Sequence, residues 1–306
     1  MPAASYPSGD QHRISYGEQH ATITEVGAAV REYAVGGRDV VQPYGEREVS
    51  WGYHGSVLLP WPNRIRDGRY EHEGATLQLP LTEPDRANAI HGLSPWRSWS
   101  VLDRAADRIA LQLRLLPSPG YPFMLTSVVE YRLTDDGLAV QTTSTNEGDS
   151  ALPYALGFHP YISCGAGAML DGCTLRIDAS RKLVADERLI PIGDEPVEGG
   201  DYDFRAERSL SGRVLDDGFF DVNADADGRS WVRLGCPDGR TVALWADKSF
   251  GFWQVYSGDY LPEHLARRSL AIEPMTAAPN AFQSGRGLRR LASGESVSTT
   301  WGVVLL

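Results

Sequence analysis

Val129-Glu130-Tyr131-Arg132-Leu133-Thr134-Asp135-Asp136-Gly137-Leu138-Ala139-Val140-Gln141-Thr142 decides how this chain folds. Val129, Tyr131 and Leu133 alternate with polar residues, and Leu138 and Val140 resume the alternation after the turn. Period-two patterning is that of a strand with one face buried. Aspartate and glycine between the two runs supply the backbone freedom of a tight turn, so the stretch predicts an antiparallel hairpin. Outward from it the same grammar recurs. Ala21–Val26, Gly74–Leu79 and Arg108–Leu115 alternate in the same way, and Pro237-Asp238-Gly239 punctuates a second hairpin between Trp231–Leu234 and Thr241–Trp245. No window of helical length carries a 3.6-residue period, and 32 glycines with 19 prolines interrupt any helix that starts. Alternating strand and helix patterns are missing, and no GxGxxG or phosphate-loop motif opens a helix. The chain therefore reads as all-β, a large antiparallel β-sandwich with a few short helical turns. Nothing cuts its 306 residues by composition or repeat, so residues 1–306 are expected to form a single domain.

Composition narrows the partners. With 29 basic and 40 acidic residues the net charge is −11, and no lysine or arginine block offers a footprint for nucleic acid or anionic lipid. The segment Met1–Gln11 is small and polar, unlike a secretory signal, and no run approaches the ~18 apolar residues of a membrane span. A cytoplasmic, soluble protein is expected, monomeric or homodimeric. Cys164, Cys173 and Cys236 are odd in number and lack CxxC or metal-ligand spacing, which predicts reduced structural thiols.

Two ionisable residues stand out. His159 lies in Tyr154-Ala155-Leu156-Gly157-Phe158-His159-Pro160-Tyr161, and Glu273 in Leu270-Ala271-Ile272-Glu273-Pro274. Each sits in an apolar run and each precedes proline, which pushes its backbone toward an extended conformation and so aims the side chain. Desolvation raises a buried carboxyl toward the range of a general base, and an imidazole complements it as an acid. Several further segments offer polar partners. Asn63 and Arg64, in Leu59-Pro60-Trp61-Pro62-Asn63-Arg64-Ile65, present planar donors suited to hydroxyls, although an arginine in such a turn also commonly pairs a carboxylate. His91 stands before Gly92. Asp216 and Asp217 share an aromatic setting before Gly218. Gln254 lies between Phe252 and Tyr256 on one strand face, as in a sugar-binding platform. No GxSxG elbow supports nucleophilic catalysis. A metal held by His54, His91 and His159 stays open, without an HExxH motif in its favour.

Taken in order, Asn63-Arg64-Ile65, His91-Gly92, Gly157-Phe158-His159-Pro160-Tyr161, Asp216, Gln254 and Glu273 resemble the aldose 1-epimerase (galactose mutarotase) family from about Trp51 to Phe282. The resemblance implies a mutarotase-type supersandwich that uses neither cofactor nor metal. It implies interconversion of the α and β anomers of a free aldohexose such as glucose or galactose. Glu273 is then the base, His159 the acid, and Asn63, Arg64, His91, Asp216 and Gln254 the sugar-binding set, with Asp217 as the other register for Asp216. Two alternatives accompany it. One is a hexose-6-phosphate epimerase using Arg66 or Arg267-Arg268, and the other a carbohydrate-binding or sensing protein without turnover. Pro60-Trp61-Pro62, Leu93 and the segment after Glu273 depart from the better-known branch, which leaves the sugar open.

Overall fold

A computed structural model describes residues 6–306; the first five residues of the polar N-terminal stretch lie outside the described part. Two large antiparallel sheets dominate. The twelve-stranded sheet runs Gln11–Tyr16, Gln19–Thr24, Val30–Val35, Arg38–Val41, Tyr161–Ile162, Leu270–Met275, Phe252–Tyr256, Asp216–Val222, Ala179–Ala185, Pro191–Pro196, with Gly157–Phe158 and Val57–Leu58 joined beside Leu270–Met275. The nine-stranded sheet is centred on Leu125–Thr134, Gly137–Asn146, Ser296–Leu305 and Thr241–Ala246. Both predicted hairpins form: Leu125–Thr134 pairs with Gly137–Asn146 across Asp135-Asp136, and Ser230–Gly235 pairs with Thr241–Ala246. Gly137 has φ of +93°, and a β-carbon there would lie 2.3 Å from the Val303 carbonyl oxygen, so the turn needs glycine. Among the described residues helix is confined to Ala281–Ser284 and two 3-10 turns, and no helix is long and apolar enough to cross a membrane.

Alternation decides what each face does. Tyr131, Val140, Trp301 and Ala246 stand opposite one another in register and are all buried, forming one row of the inner face of the smaller sheet. On the larger sheet Phe219, Trp253, Val255 and Ile272 point inward, and the Trp253 indole N–H donates to Ser230 Oγ across the layers at 3.1 Å. Burial of each such side chain contributes about 1.5–3 kcal/mol by removing apolar surface from water. The intervening positions must then face away from this core. They are Asp216, Gly218 and Phe220 on one strand, Phe252, Gln254 and Tyr256 on the next, and Glu273 and Met275 on the third. Three neighbouring strands thus carry polar groups to a single outer face, which is where the candidate site lies.

The expectation of reduced thiols is overturned. Cys164 and Cys236 form a disulfide with their Cα atoms 5.4 Å apart, while Cys173 is free and buried with its Sγ 3.5 Å from that of Cys164. Cys164 follows a strand of the larger sheet and Cys236 a strand of the smaller one, so the bridge ties the two layers. Seventy-two residues separate the partners, and only the register of both sheets brings them together. Bridges of this kind persist in oxidising compartments, so the bond gives no support to the cytoplasmic expectation.

Candidate active site

Two loops and three strands converge on a cavity of about 240 Å³. Arg64–Arg66 pairs with Asn88–Ile90 in a small two-stranded ladder, which docks the Asn63 and His91 turns against each other. Asn63 (φ +53°), His91 (φ +60°) and Gly92 (φ +77°) all take left-handed backbone conformations. At Gly92 a β-carbon would meet the Leu59 carbonyl oxygen at 2.2 Å, which explains glycine after the histidine. The His91 N–H donates to the Asn63 carbonyl at 2.9 Å, and the Asn63 N–H donates to His91 Nδ1 at 3.2 Å. Because Nδ1 accepts a hydrogen bond, the neutral ring carries its proton on Nε2. Burial, with His159 and Arg64 nearby, holds the His91 pKa well below its ordinary value, in keeping with a neutral ring.

His159 follows the short strand Gly157–Phe158, with its ring stacked on Tyr161 (centroids 5.0 Å apart) and set edge-on to His91 at 5.2 Å. Its Nε2 lies 3.3 Å from Glu273 Oε1. The two residues are 5% and 2% exposed, so the contact is shielded from bulk water. Burial lowers the His159 pKa to about 3 and raises that of Glu273 well above the carboxylate norm, with Asp216 adding to the latter and Arg64 opposing it. Both shifts favour the uncharged pair, a protonated carboxyl facing a neutral imidazole. Glu273 Oε2 and His159 Nδ1 have no hydrogen-bond partner among the described residues.

Asp216 lines the same cavity, and burial raises its pKa against the pull of Arg64. Its Oδ1 accepts a 2.7 Å bond from Gln254 Nε2. Gln254, expected from the sequence to bind the sugar, lines a smaller adjoining cavity with Asn63, Arg64 and Asp216 and supports Asp216 from there. Asp217 turns to the other side of its strand and pairs with Lys182 at 2.9 Å. Arg64 lines the cavity yet is also paired to a carboxylate, as its turn had allowed: Nε and Nη2 donate to Glu83 at 2.8 and 2.9 Å. Glu83 and Tyr53 are cavity residues that the sequence reading missed, and Tyr161 and Tyr256, named there beside His159 and Gln254, line the cavity as well. Glu83 also stands directly before a proline, but without the apolar run that marks His159 and Glu273.

His91, His159 and Glu273 bring donor atoms within 4.8 Å of one another, which makes them the candidate metal set. The tautomer speaks against that role for His91. A metal-ligating imidazole usually donates from its second nitrogen, whereas His91 Nδ1 accepts, so its Nε2 holds a proton where a ligand needs a lone pair. His54 is apart from this set. It is fully buried among Tyr44, Trp51 and Tyr161, its Nε2 against the Gln42 carbonyl.

Burial lowers the His54 pKa to about 4. In the unfolded chain its imidazole takes up a proton below about 6.5, but in the folded protein it stays neutral until about 4, so stability falls as pH drops through that window. At pH 5 the loss from His54 is about 2 kcal/mol. Urea unfolding at pH 7.5 and 5.0 checks this: a His54→Phe variant should lose about 2 kcal/mol less than wild type between the two. Equal losses would remove His54 from the acid sensitivity.

A sequence model of the aldose 1-epimerase family matches residues 10–302. The chain belongs to the aldose 1-epimerase family. It is 37% identical over 290 residues to YihR of Escherichia coli K12, a protein described as uncharacterized, covering 94% of this chain and 91% of that one. The aldose 1-epimerase of the same organism is 28% identical over 169 residues, 53% of this chain and 48% of the enzyme. Among solved structures, a galactose mutarotase-like protein of Clostridium acetobutylicum superimposes with a TM-score of 0.85 at 17% identity, over 96% and 94% of the two chains. Galactose 1-epimerase of Lactobacillus acidophilus gives 0.82 at 17%, over 99% and 96%. At such identities these structures speak for the family's fold, a galactose mutarotase-like β-sandwich, as the sequence predicted.

Proposed function

We propose that the protein is a mutarotase acting on a free aldohexose, with Glu273 and His159 as its proton-transferring residues. The observation that carries the reading is the 3.3 Å contact between His159 Nε2 and Glu273 Oε1, both buried, at a cavity that also receives Asn63, Arg64, His91 and Asp216. Its volume is below the ~300–1,000 Å³ of pockets for drug-sized ligands, which suits one sugar ring. Aromatic side chains of Tyr53, Tyr161 and Tyr256 suit the C–H faces of that ring.

The pair shares one mobile proton. In the resting site it lies on Glu273, because burial penalises separated charges. A sugar placed with its C1 hydroxyl toward Glu273 and its ring oxygen toward His159 draws that proton onto the imidazole, and the positive charge of Arg64 favours the resulting carboxylate. Glu273 then takes the proton from the C1 hydroxyl, C1–O1 becomes a carbonyl, the bond from C1 to the ring oxygen breaks, and His159 protonates the departing ring oxygen. Half a turn about C1–C2 presents the other carbonyl face. Re-closure returns one proton to His159 and one to the new C1 hydroxyl, so nothing is consumed. His91 Nε2–H, Arg64, Asn63 and Asp216 hold the remaining hydroxyls, with Gln254 fixing Asp216.

A 6-phosphate substrate has one observation in its favour, Arg86 at the cavity mouth, which makes only a 3.2 Å bond to Glu83. The arginines first considered for it are engaged elsewhere: Arg66 with Asp186, Arg267 with Asp171 and Asp259, Arg268 with the His264 carbonyl. Polarimetry on freshly dissolved α-D-glucose and α-D-galactose, with anomer exchange by NMR on glucose 6-phosphate beside glucose, tests the assignment. Faster equilibration of a neutral aldose than of its 6-phosphate is expected. The reverse order moves the substrate to the phosphosugar, and no acceleration with any aldose reduces the site to a binding one.

A further inference from the structure

We propose that Glu83 is a positioning residue for this site, a clamp that fixes the Arg64 guanidinium so that its Nη1 alone is presented to the sugar. The inference rests on the mutarotase reading above. Glu83 Oε2 accepts from Arg64 Nε (2.8 Å) and Asn88 Nδ2 (2.9 Å), and Oε1 accepts from Arg64 Nη2 (2.9 Å) and Arg86 Nη1 (3.2 Å). Four donors on two oxygens leave the carboxylate little freedom to turn. Its backbone is held as firmly. The Glu83 N–H donates to the Asn88 carbonyl, the Asn88 N–H donates back, and Pro84 restricts what precedes it. Two parallel N–H···O bonds define the plane of a guanidinium as well as its position. Arg64 Nη1 makes no hydrogen bond among the described residues and belongs to a side chain lining the cavity.

The clamp has a second effect. Arg64 lies close enough to Asp216 and Glu273 to influence both carboxyls. Paired with Glu83, its charge is partly compensated and its position is fixed. Released, it is a free cation in a buried site with two carboxyls to choose from, and its approach to Glu273 stabilises the carboxylate the reaction must reprotonate. A residue that merely supported the loop would change stability and leave the proton chemistry untouched.

The test compares wild type, Glu83→Gln and Glu83→Asp by anomer-exchange kinetics across pH. Glutamine keeps the size but loses the charge and one acceptor. Glu83→Gln is expected to raise KM about tenfold or more, from the loss of an oriented charged donor. It is also expected to move the high-pH limb of the rate to lower pH by roughly one unit, since an unpaired neighbouring cation favours the Glu273 carboxylate. Glu83→Asp keeps the charge and should restore the limb while recovering KM in part. Wild-type KM and pH limb in a folded Glu83→Gln protein overturn the proposal, as does a variant that is only less stable. Should wild type exchange no aldose, the mutarotase reading fails by itself. The clamp is then read by the Arg64 Nε–H resonance, slowly exchanging in wild type and fast in Glu83→Gln, and an unchanged resonance overturns it.

Discussion

Exchanging Glu273 for glutamine should lower the rate constant for anomer interconversion by about 10²–10⁴-fold, the range a positioned acid or base group contributes. The amide matches the carboxyl in size and fills the same place opposite Gln254 in the register, but it cannot take the C1 hydroxyl proton. Stability should move the other way. Glu273 Oε2 is buried without a hydrogen-bond partner and burial disfavours its charge, so a neutral isostere removes a strained requirement. Thermal unfolding of the variant should begin no lower than that of wild type. A loss of rate together with a lower unfolding temperature would assign the effect to folding instead.

His159→Asn should cost a similar factor, and it bears on the shared proton. If one proton serves both residues, losing either partner stops the exchange, and the double variant His159→Asn/Glu273→Gln should be hardly slower than either single one. Fully additive losses would mean two independent contributions. The pH profile carries the same signature. Acid inactivation needs a second proton on the pair, and His159, lowered to about 3, accepts it only far below the ordinary imidazole value of about 6.5. The rate in wild type should therefore stay level as pH falls through 6.5, and a limb centred there would place His159 in solvent contact.

The hairpins were legible because alternation and aspartate-glycine turns are local signals, and Leu125–Thr134 with Gly137–Asn146 needed nothing beyond fourteen residues of sequence. His159 and Glu273 were legible because proline and an apolar run mark an ionisable residue wherever it lies. Glu83 was not legible in this way: it precedes Pro84 but lacks the apolar run, and the exposed Glu195 stands before Pro196 in the same manner. Register was not legible. Which of Asp216 and Asp217 faces the cavity depends on Gly218 standing opposite Gln254, and that pairing is set by strands nearly forty residues apart. Gln254 was placed on the correct face, but its spending of an amide N–H on Asp216 follows from the cross-strand geometry. The bridge between Cys164 and Cys236 belongs to the same class, since spacing along the chain says nothing about which strand ends of the two sheets meet. Tyr53 joins the cavity by the same kind of long-range convergence.

The central claim is that a buried Glu273 and His159 pass protons to and from an aldose. Polarimetry of freshly dissolved α-D-galactose and α-D-glucose, with wild type and Glu273→Gln side by side in dilute buffer, reads it directly. Wild type should hasten equilibration of at least one of the two sugars while the variant follows the uncatalysed curve; a variant as fast as wild type would contradict the account.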